Sequence, residues 1–372
     1  MKRVLFVLGT RPEGIKLCPV IRHMRACSHS LLEVRVCSTA QHRAMLDQVL
    51  ETFEVRPDYD LDLMVPGQTL AQSAARMLAA LDAVFEAAPF DMTVVQGDTT
   101  TTMMGALAAF YRHIPVAHVE AGLRTGNMEQ PFPEEMNRRV TSRLAALHFA
   151  PTEGARRNLL SEGISDTRIA VTGNSGIDAL LYVAGALEQG SLPPRHWPWL
   201  DPAKRLIVVT AHRRESFGGG IQRICDALAA LARRGDVQLV YPVHRNPNVL
   251  DPVTQNLAAV PGIQLIEPLD YVSFVDLMRR AALLITDSGG IQEEAPSLGK
   301  PVLVMRECTE RPEAVDAGTV RLVGTDPRRI IGEASRLLDD GAEYARMSRT
   351  HNPYGDGNAS GRISRAIQHY FA

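Results

Sequence analysis

The fold of this chain is decided by the stretch Leu283-Leu284-Ile285-Thr286-Asp287-Ser288-Gly289-Gly290-Ile291-Gln292-Glu293-Glu294-Ala295. An apolar run ends at a polar turn with two adjacent glycines, and a pattern of helical period follows at once. A buried strand, a glycine turn and a helix in this order are typical of α/β domains with a parallel sheet. The stretch therefore predicts that fold class.

The turn itself allows two interpretations. Backbone N–H groups at a helix start, next to glycines, form a site that an anion can approach closely. Glu293 and Glu294 lie about one turn further along, where a carboxylate can accept two hydrogen bonds from a ribose diol. The turn then holds a nucleotide diphosphate. Alternatively, Ser288 caps the helix, the glycines serve only the turn, and the acids favour the helix dipole.

Short apolar runs alternate with segments of helical period along most of the chain. The predicted strands are 4–8, 34–38, 93–96, 115–119, 146–150 and 168–171, then 206–210, 237–241, 263–266, 282–286, 301–305 and 320–323. The predicted helices are 15–25, 43–51, 69–86, 100–111, 134–144 and 153–162, then 221–233, 271–280, 291–298, 327–338 and 341–349. Alternation of this kind favours parallel, doubly wound sheets.

Two domains are expected, because 372 residues exceed the size of one ordinary hydrophobic core. The alternation stops over 187–204, a segment with four prolines and both tryptophans, which we predict to be a linker. The N-terminal Rossmann-like domain then spans 1–186 and the C-terminal one 205–360, with an amphipathic helix over 361–371 that packs back on the first domain. We expect the two domains to face a central cleft, with ligands beyond the carboxyl ends of the strands.

Composition excludes several classes of partner. The net charge is −2, so no overall basic field attracts nucleic acid or an acidic membrane. The five cysteines include no C-x-x-C pair, which is typical of reduced thiols in the cytoplasm and argues against a structural zinc site. The first apolar run, 4–8, is too short for a signal sequence or a membrane span. We therefore expect a cytoplasmic protein that binds a small anionic ligand.

Positive charge follows the first predicted strand, at Arg11 and Lys16. Only one glycine there matches the dinucleotide fingerprint, so NAD binding is not indicated. A planar guanidinium and an ammonium group both suit a diphosphate. The alternative is a helix that starts at Pro12 with ordinary surface charges.

Three acids lie at or just beyond the ends of predicted strands in the same sheet: Asp98, Glu120 and Glu134. Taken singly, Asp98 can cap the next helix and Glu134 can be a first-turn acid. Glu120 closes an apolar run, where a carboxylate is costly without partners. The three together indicate a catalytic site that handles protons.

The second half adds two histidines, His212 and His244, each directly after a strand and each followed by an arginine. A single histidine at such a place is usually structural. Two of them favour a site that faces the acids of the first domain. Their spacing matches no metal motif, so we expect no metal.

These residues resemble the non-hydrolysing UDP-N-acetylglucosamine 2-epimerases of bacteria. The matching stretches are 9–16, 41–43, 96–100, 118–125, 133–138, 212–217, 241–244, 286–301 and 310–325. The resemblance implies a GT-B-like pair of domains and a cytoplasmic enzyme, usually a homodimer. It also implies reversible C2 epimerisation of UDP-N-acetylglucosamine (UDP-GlcNAc) to UDP-N-acetylmannosamine (UDP-ManNAc) through a 2-acetamidoglucal, without NAD or metal.

The resemblance further assigns roles to residues. The implied catalytic residues are Asp98, Glu120, Glu134 and His212. The implied substrate-binding residues are Arg11, Lys16, Phe274, Ser288, Gly289, Gly290, Glu294 and Arg311, to which we add His244 from its position. Activation by a second substrate molecule, known in some members, implicates Gln41, His42 and Arg43.

Three other functions stay open. A GT-B glycosyltransferase uses the same donor but needs an acceptor and no paired proton acceptors. A hydrolysing 2-epimerase releases UDP. A sensor of nucleotide sugars binds the ligand without exchange at C2.

Overall fold

The computed structural model describes residues 1–27, 31–40, 43–193, 195–309, 311–349 and 351–372. The chain forms two compact units. Unit 1 contains Met1–Tyr182 and Tyr354–Ala372, and unit 2 contains Val183–Pro353. The segment 187–204, predicted as a linker, belongs to unit 2, where Trp197 donates a hydrogen bond to Asp276 (2.8 Å) and Gln238 donates one to the Trp199 carbonyl (2.7 Å).

Unit 1 is built on a parallel sheet. Over the described residues its strands are Lys2–Leu8 (β1), Leu32–Ser38 (β2), Tyr59–Asp60 (β3), Met92–Gln96 (β4), Val116–Val119 (β5), Leu147–Ala150 (β6) and Ile169–Val171 (β7). Their order is β3-β2-β1-β4-β5-β6-β7. Phe6 on β1 pairs with Val36 on one side and Val94 on the other, and all three are fully buried. Apolar residues at the sheet centre thus form the core.

Helices cover this sheet. They are Arg11–Cys27 (α1), Arg43–Thr52 (α2), Leu70–Ala87 (α3), Thr100–Tyr111 (α4), Glu134–Leu144 (α5), Glu153–Ser161 (α6), Ser175–Glu188 (α7, within which the unit boundary falls) and, from the chain end, the helix Ala359–Phe371. That last helix packs against α1. Its first amides are held by Asp178, which accepts hydrogen bonds from Ala359 N (3.2 Å) and Ser360 N (2.8 Å).

Unit 2 repeats the architecture. Its strands are Arg205–Thr210 (β8), Val237–Pro242 (β9), Ile263–Ile266 (β10), Leu283–Thr286 (β11), Val302–Val304 (β12) and Val320–Leu322 (β13), in the order β10-β9-β8-β11-β12-β13 among the residues described. Its helices are Gly219–Ala232 (α8), Pro247–Leu257 (α9), Tyr271–Arg280 (α10), Gly289–Glu294 (α11), Pro312–Asp316 (α12), Pro327–Asp339 (α13) and Gly341–Arg349 (α14). The predicted fold class, two Rossmann-like doubly wound parallel sheets, is confirmed.

In each sheet, the strands that follow the first one in sequence are added on one side and later strands on the other. Open α/β sheets bind ligands at this switch point. In unit 1 the switch point lies between β1 and β4, and in unit 2 between β8 and β11. Arg11 and Asp98 follow the first pair of strands, and His212 and Ser288 follow the second. The predicted site residues therefore gather at the expected edge of each sheet.

The predicted helix 291–298 is wrong in its extent. α11 ends at Glu294, and a 3₁₀ turn follows over Ala295–Leu298. Pro296 has no N–H to donate to the preceding turn, and its ring disfavours a continuing α-helix. α11 has only six residues, so its dipole contributes less to anion binding than the prediction assumed.

Within the described ranges, no helix is both long enough and apolar enough to cross a membrane.

Candidate active site

The loop after β1 brings two cations to the sheet edge. α1 begins at Arg11, so Arg11 and Lys16 lie on its first turns and are half-buried. The Lys16 ammonium forms an ion pair with the Glu120 carboxylate from the loop after β5. One of the predicted binding residues thus contacts one of the predicted catalytic acids.

Glu120 has an unusual backbone. Its φ is 63°, in the left-handed region that a residue other than glycine adopts at a cost of about 1–3 kcal/mol. Only 13% of its side chain is exposed. Strain of this kind is kept where surrounding structure enforces it, and it is typical of functional sites. The geometry supports the prediction that Glu120 is catalytic.

Asp98 does not cap the following helix, so that alternative is wrong. The N-cap of α4 is Thr99, whose hydroxyl accepts from Thr102 N at 3.1 Å. The Asp98 carboxylate instead pairs with the Arg138 guanidinium, and the Asp98 carbonyl accepts a hydrogen bond from Asn137 Nδ2 at 2.8 Å. α5 therefore fixes both the backbone and the side chain of Asp98.

Arg138 is itself held by Glu135, which is fully buried. Glu135 accepts from Arg138 Nη1 (3.1 Å), Arg139 Nε (3.0 Å) and Thr125 N (3.1 Å). Burial opposes ionisation, but the Thr125 amide and the two arginines outweigh it and lower the pKa of Glu135. A charged Glu135 thus anchors the cation that faces Asp98.

Glu134 is the first residue of α5, as a first-turn acid is expected to be. Its Oε2 atom is buried and makes no hydrogen bond with the described residues. A buried carboxylate oxygen without a donor is costly. The helix dipole alone does not explain Glu134, and the unpartnered oxygen supports a role toward a ligand.

Glu13 ties the loops after β1 and β4 together, and the sequence reasoning missed it. Its buried carboxylate accepts from Gly9 N (2.9 Å) and Thr10 N (2.7 Å) on one side and from the Thr99 hydroxyl (2.5 Å) on the other. Burial raises the pKa of Glu13, although hydrogen bonds from Thr99, Gly9 and Thr10 oppose the rise. Arg11 and Asp98 each lie one residue from a group that this carboxylate holds.

His118 contacts the backbone of the loop that follows β4 and carries Asp98. Its Nε2 donates to the Gly97 carbonyl at 2.8 Å. Burial lowers the pKa of His118 to about 4, so the ring is neutral at physiological pH and its proton stays on Nε2. Burial lowers the pKa of His148 to about 3, and the neighbouring His118, which is charged only in acid, contributes to this lowering.

The lowered pKa of His118 predicts that the folded protein loses stability in acid. The unfolded ring has a pKa of 6.5 and the folded ring about 4, so only the unfolded state gains protons as pH falls. Its contribution is present above pH 6.5 and is lost toward pH 4, up to about 3 kcal/mol. Thermal unfolding of His118→Gln, which still donates to Gly97, should decline less over this range than wild type. His369→Gln at the exposed chain end serves as control, and an equal decline in His118→Gln and wild type would refute the assignment.

In unit 2, His212 follows β8 and contacts a buried acid. Asp287 Oδ1 lies 2.9 Å from His212 Nδ1, and Asp287 Oδ2 accepts from the backbone amides of His212 and Arg213, both at 2.7 Å. Asp287 is 0% exposed. The sequence placed Asp287 in the deciding stretch but gave it no role.

His244 lies beside His212. Their rings stack with centroids 5.5 Å apart and planes at 25°. His244 Nδ1 accepts from Asn246 N at 3.1 Å, and burial, then the neighbouring His212, lowers the pKa of His244. The two predicted histidines are therefore together, with His244 in its neutral form.

The glycine turn after β11 matches the ligand interpretation better than the capping one. Ser288 stands at the N-cap of α11, but its hydroxyl makes no capping hydrogen bond, so the capping alternative is wrong. Arg311 Nε pairs with Glu293 Oε1 at 2.6 Å, and the Arg311 guanidinium occupies the space that a side chain on Gly289 requires. Glu293 is thus committed to Arg311, and Glu294 stays the predicted ribose contact.

The remaining predicted residues are distributed as follows. Phe274 is half-buried on α10, and Gly290 is exposed on α11. Arg43 begins α2 and forms ion pairs with Asp60 (2.8 Å) and Asp62 (3.2 Å). Gln41 and His42 lie outside the described residues. The absence of NAD and metal stays a prediction; among the residues described, no three His, Cys, Asp or Glu side chains form a group that could hold a metal ion.

Comparisons with known proteins match nearly the whole chain. The family model described as UDP-N-acetylglucosamine 2-epimerase matches residues 25–368. The chain is 56% identical to the UDP-N-acetylglucosamine 2-epimerase of Salmonella typhimurium over 373 residues, 99% of either chain. It is similar to the structure of the Neisseria meningitidis UDP-GlcNAc 2-epimerase bound to UDP-GlcNAc, with a TM-score of 0.89, 47% identity, and coverage of 99% of this chain and 100% of that one. The Methanocaldococcus jannaschii UDP-GlcNAc 2-epimerase in complex with UDP-GlcNAc and UDP gives a TM-score of 0.80, 32% identity and 99% coverage of both chains.

Proposed function

The chain belongs to the UDP-N-acetylglucosamine 2-epimerase family, and we propose that it is a non-hydrolysing member that interconverts UDP-GlcNAc and UDP-ManNAc. The substrate is supported by relatives whose structures contain UDP-GlcNAc. The observation that carries the mechanism is a set of three carboxylates in unit 1: Asp98 after β4, Glu120 after β5 and Glu134 at the start of α5.

The chemistry explains why several acids are needed. The C2–H bond of an N-acetyl sugar is not acidic, so the C1–O bond breaks first and its electron pair leaves with the diphosphate. Positive charge then develops at C1, and a carboxylate can remove the C2 proton. The intermediate is 2-acetamidoglucal with UDP retained. Return of a proton to the opposite face of C2 and re-addition of UDP to C1 give the epimer.

Each acid has a distinct environment that suits this scheme. Asp98 pairs with Arg138 and Glu120 pairs with Lys16, and both acids are half-buried. We assign proton removal and return to these two. Glu134, whose buried oxygen has no donor among the described residues, acts as the supporting acid. A glycosyltransferase needs no such paired proton acceptors.

The groups that bind UDP are proposed from the family and from their charge. Arg11 and Lys16 in unit 1 suit the diphosphate. The remaining proposed contacts are His244, Phe274, Ser288, Gly289, Gly290, Glu294 and Arg311. His212 donates a hydrogen bond to the diphosphate as it leaves, which stabilises the charge that grows there.

Gly289→Ala tests the place of Arg311 in this scheme. A methyl group on Gly289 displaces the Arg311 guanidinium, because the two occupy the same space. A lost charged hydrogen bond costs about 1.5–3 kcal/mol, so UDP affinity measured by calorimetry should fall about 10–100-fold. Gly332→Ala on α13, whose added methyl group meets nothing within 4 Å, is the matched control. An affinity within twofold of wild type would remove Arg311 from the UDP contacts.

A nuclear magnetic resonance time course with UDP-GlcNAc alone tests the proposed function. We expect UDP-ManNAc to accumulate to an equilibrium mixture while free UDP stays absent. Stoichiometric UDP with free N-acetylmannosamine would indicate the hydrolysing epimerase instead. Conversion only after an acceptor is added would indicate a glycosyltransferase, and saturable binding without conversion a sensor.

Two further properties are proposed on the same basis. The reaction is expected to proceed after exhaustive dialysis against a chelator and without added NAD, because the charges that assist UDP departure come from side chains. The enzyme is expected to be a homodimer, which sedimentation equilibrium measures directly. Activation by a second substrate molecule at Gln41, His42 and Arg43 stays a prediction.

A further inference from the structure

The carboxylate of Asp287 makes three hydrogen bonds to the loop after β8, although it lies 75 residues away in sequence. Two of them come from the backbone amides of His212 and Arg213 at 2.7 Å, and the third joins Oδ1 to His212 Nδ1 at 2.9 Å. Asp287 is fully buried, whereas 38% of the His212 side chain is exposed. The acid is therefore built into unit 2, and the imidazole that it holds remains accessible.

These contacts determine which nitrogen of His212 carries a proton. Two amide donors on Oδ2 stabilise the ionised form of the carboxylate. An ionised carboxylate only accepts hydrogen bonds, so Nδ1 must be the donor. Nε2, at the far side of the ring, is then the atom available to a ligand.

The two amide contacts alone have a purely structural explanation, since they fix the turn after β8. The contact to Nδ1 needs a different explanation, because a half-exposed histidine can satisfy its ring nitrogens with water. A buried carboxylate on Nδ1 both orients the ring and stabilises its positive charge. That is the arrangement a histidine needs to donate from Nε2 toward a group that becomes more negative.

We propose that Asp287 is a positioning residue, which holds His212 as an imidazolium with Nδ1–H toward Asp287 and Nε2–H toward the leaving diphosphate. This inference rests on the proposed function. When the C1–O bond breaks, its electron pair goes to the diphosphate oxygen, and Nε2–H donates a hydrogen bond to that oxygen. The C2 proton goes to one of the proposed catalytic carboxylates. When a proton returns to C2, UDP adds to C1 and the C1–O bond forms again.

Asp287→Asn is the direct test in the full chain. The carboxamide oxygen can still accept both loop amides, but its NH₂ group faces Nδ1, which must then accept. His212 becomes a neutral ring with its proton on Nε2. We expect kcat to fall about 100-fold or more, with KM for UDP-GlcNAc within about threefold because the change acts mainly in the transition state.

The pH profile separates this role from a structural one. Among the described residues, the titratable side chains in recorded contact with His212 are Asp287 after β11 and His244 after β9. Arg213 is the next residue of the same loop, and its backbone amide also contacts Asp287. Loss of the Asp287 charge should move the basic limb of the kcat profile toward lower pH by about one unit or more. Asp276→Asn removes another buried carboxylate of unit 2, which is bonded to Trp197 and Arg280, and should leave the limb in place.

A double-mutant comparison and a spectroscopic readout complete the test. If Asp287 acts through His212, adding Asp287→Asn to the His212→Asn variant should lower kcat by less than twofold. Nitrogen-15 spectra of the UDP-bound protein, with His212→Asn used for assignment, should show Nδ1–H in wild type and only Nε2–H in Asp287→Asn. The proposal would be overturned if Asp287→Asn lowered kcat equally in wild type and in His212→Asn, or if the His212 tautomer did not change. Absence of epimerisation in wild type would instead refute the proposed function and leave the tautomer result valid.

Discussion

Asp98→Asn and Glu120→Gln are each expected to lower kcat for epimerisation about 10²–10⁴-fold, because each removes one of the two groups that exchange the C2 proton. The amides keep the size of the acids but cannot accept a proton. KM should change less than kcat, since the proposed UDP contacts stay in place. Steady-state rates by nuclear magnetic resonance in both directions measure the effect.

The structure supplies a control on the same strand. Asp91 precedes β4 and pairs with Lys2 at 2.9 Å, whereas Asp98 lies beyond the opposite, carboxyl end of the same strand. Asp91→Asn should keep kcat within about twofold, because the strand places it far from the carboxyl ends of the sheet. Near-normal kcat in Asp98→Asn or Glu120→Gln would remove that residue from the proton-transfer step.

Glu13→Ala is expected to have the second-largest effect, on stability and activity together. It leaves the amides of Gly9 and Thr10 buried without an acceptor, and each unsatisfied group costs about 1–3 kcal/mol. The loops that present Arg11 and Asp98 also lose their common anchor. The midpoint of thermal unfolding should fall by several degrees, and kcat should fall about tenfold or more in the protein that remains folded.

Glu13→Gln tests whether stability and activity depend on the hydrogen bonds of Glu13 or on its negative charge. A carboxamide oxygen can accept the Gly9 and Thr10 amides, and its NH₂ group can donate to the Thr99 hydroxyl. We therefore expect Glu13→Gln to keep most of the stability and activity. Glu54→Gln, an exposed acid of the same unit that pairs with Arg22, is the control for loss of a charge. If Glu13→Gln is as damaging as Glu13→Ala, the ionised carboxylate itself is required.

Much of the fold could be predicted because buried parallel strands are short apolar runs, which stand out in a sequence. β3 was missed, since Tyr59–Asp60 is only two residues long and is polar at its end. α9 was missed because Pro247 and Pro252 resemble turn residues, although Pro247 occupies the first turn of the helix. α7 was missed where it runs into the proline-rich segment that follows.

The candidate site could be predicted in part for a related reason. Polar side chains at strand ends, such as Asp98, Glu120 and His212, are visible because they interrupt apolar runs. Their supports are not visible, because hydrogen bonds join residues far apart in sequence. Asp287 and His212 are 75 positions apart, and Glu13 and Thr99 are 86 apart. A buried acid beside a predicted strand end was the available signal, but only the fold shows which donors meet it.

Proton exchange at C2 tests the central proposal most directly. The reaction is run from UDP-GlcNAc in deuterium oxide and followed by nuclear magnetic resonance and mass spectrometry. The proposed elimination and re-addition predict one deuterium at C2 of both UDP-ManNAc and the recovered UDP-GlcNAc, with no net release of UDP. Epimerisation without deuterium at C2 would contradict the proposed mechanism.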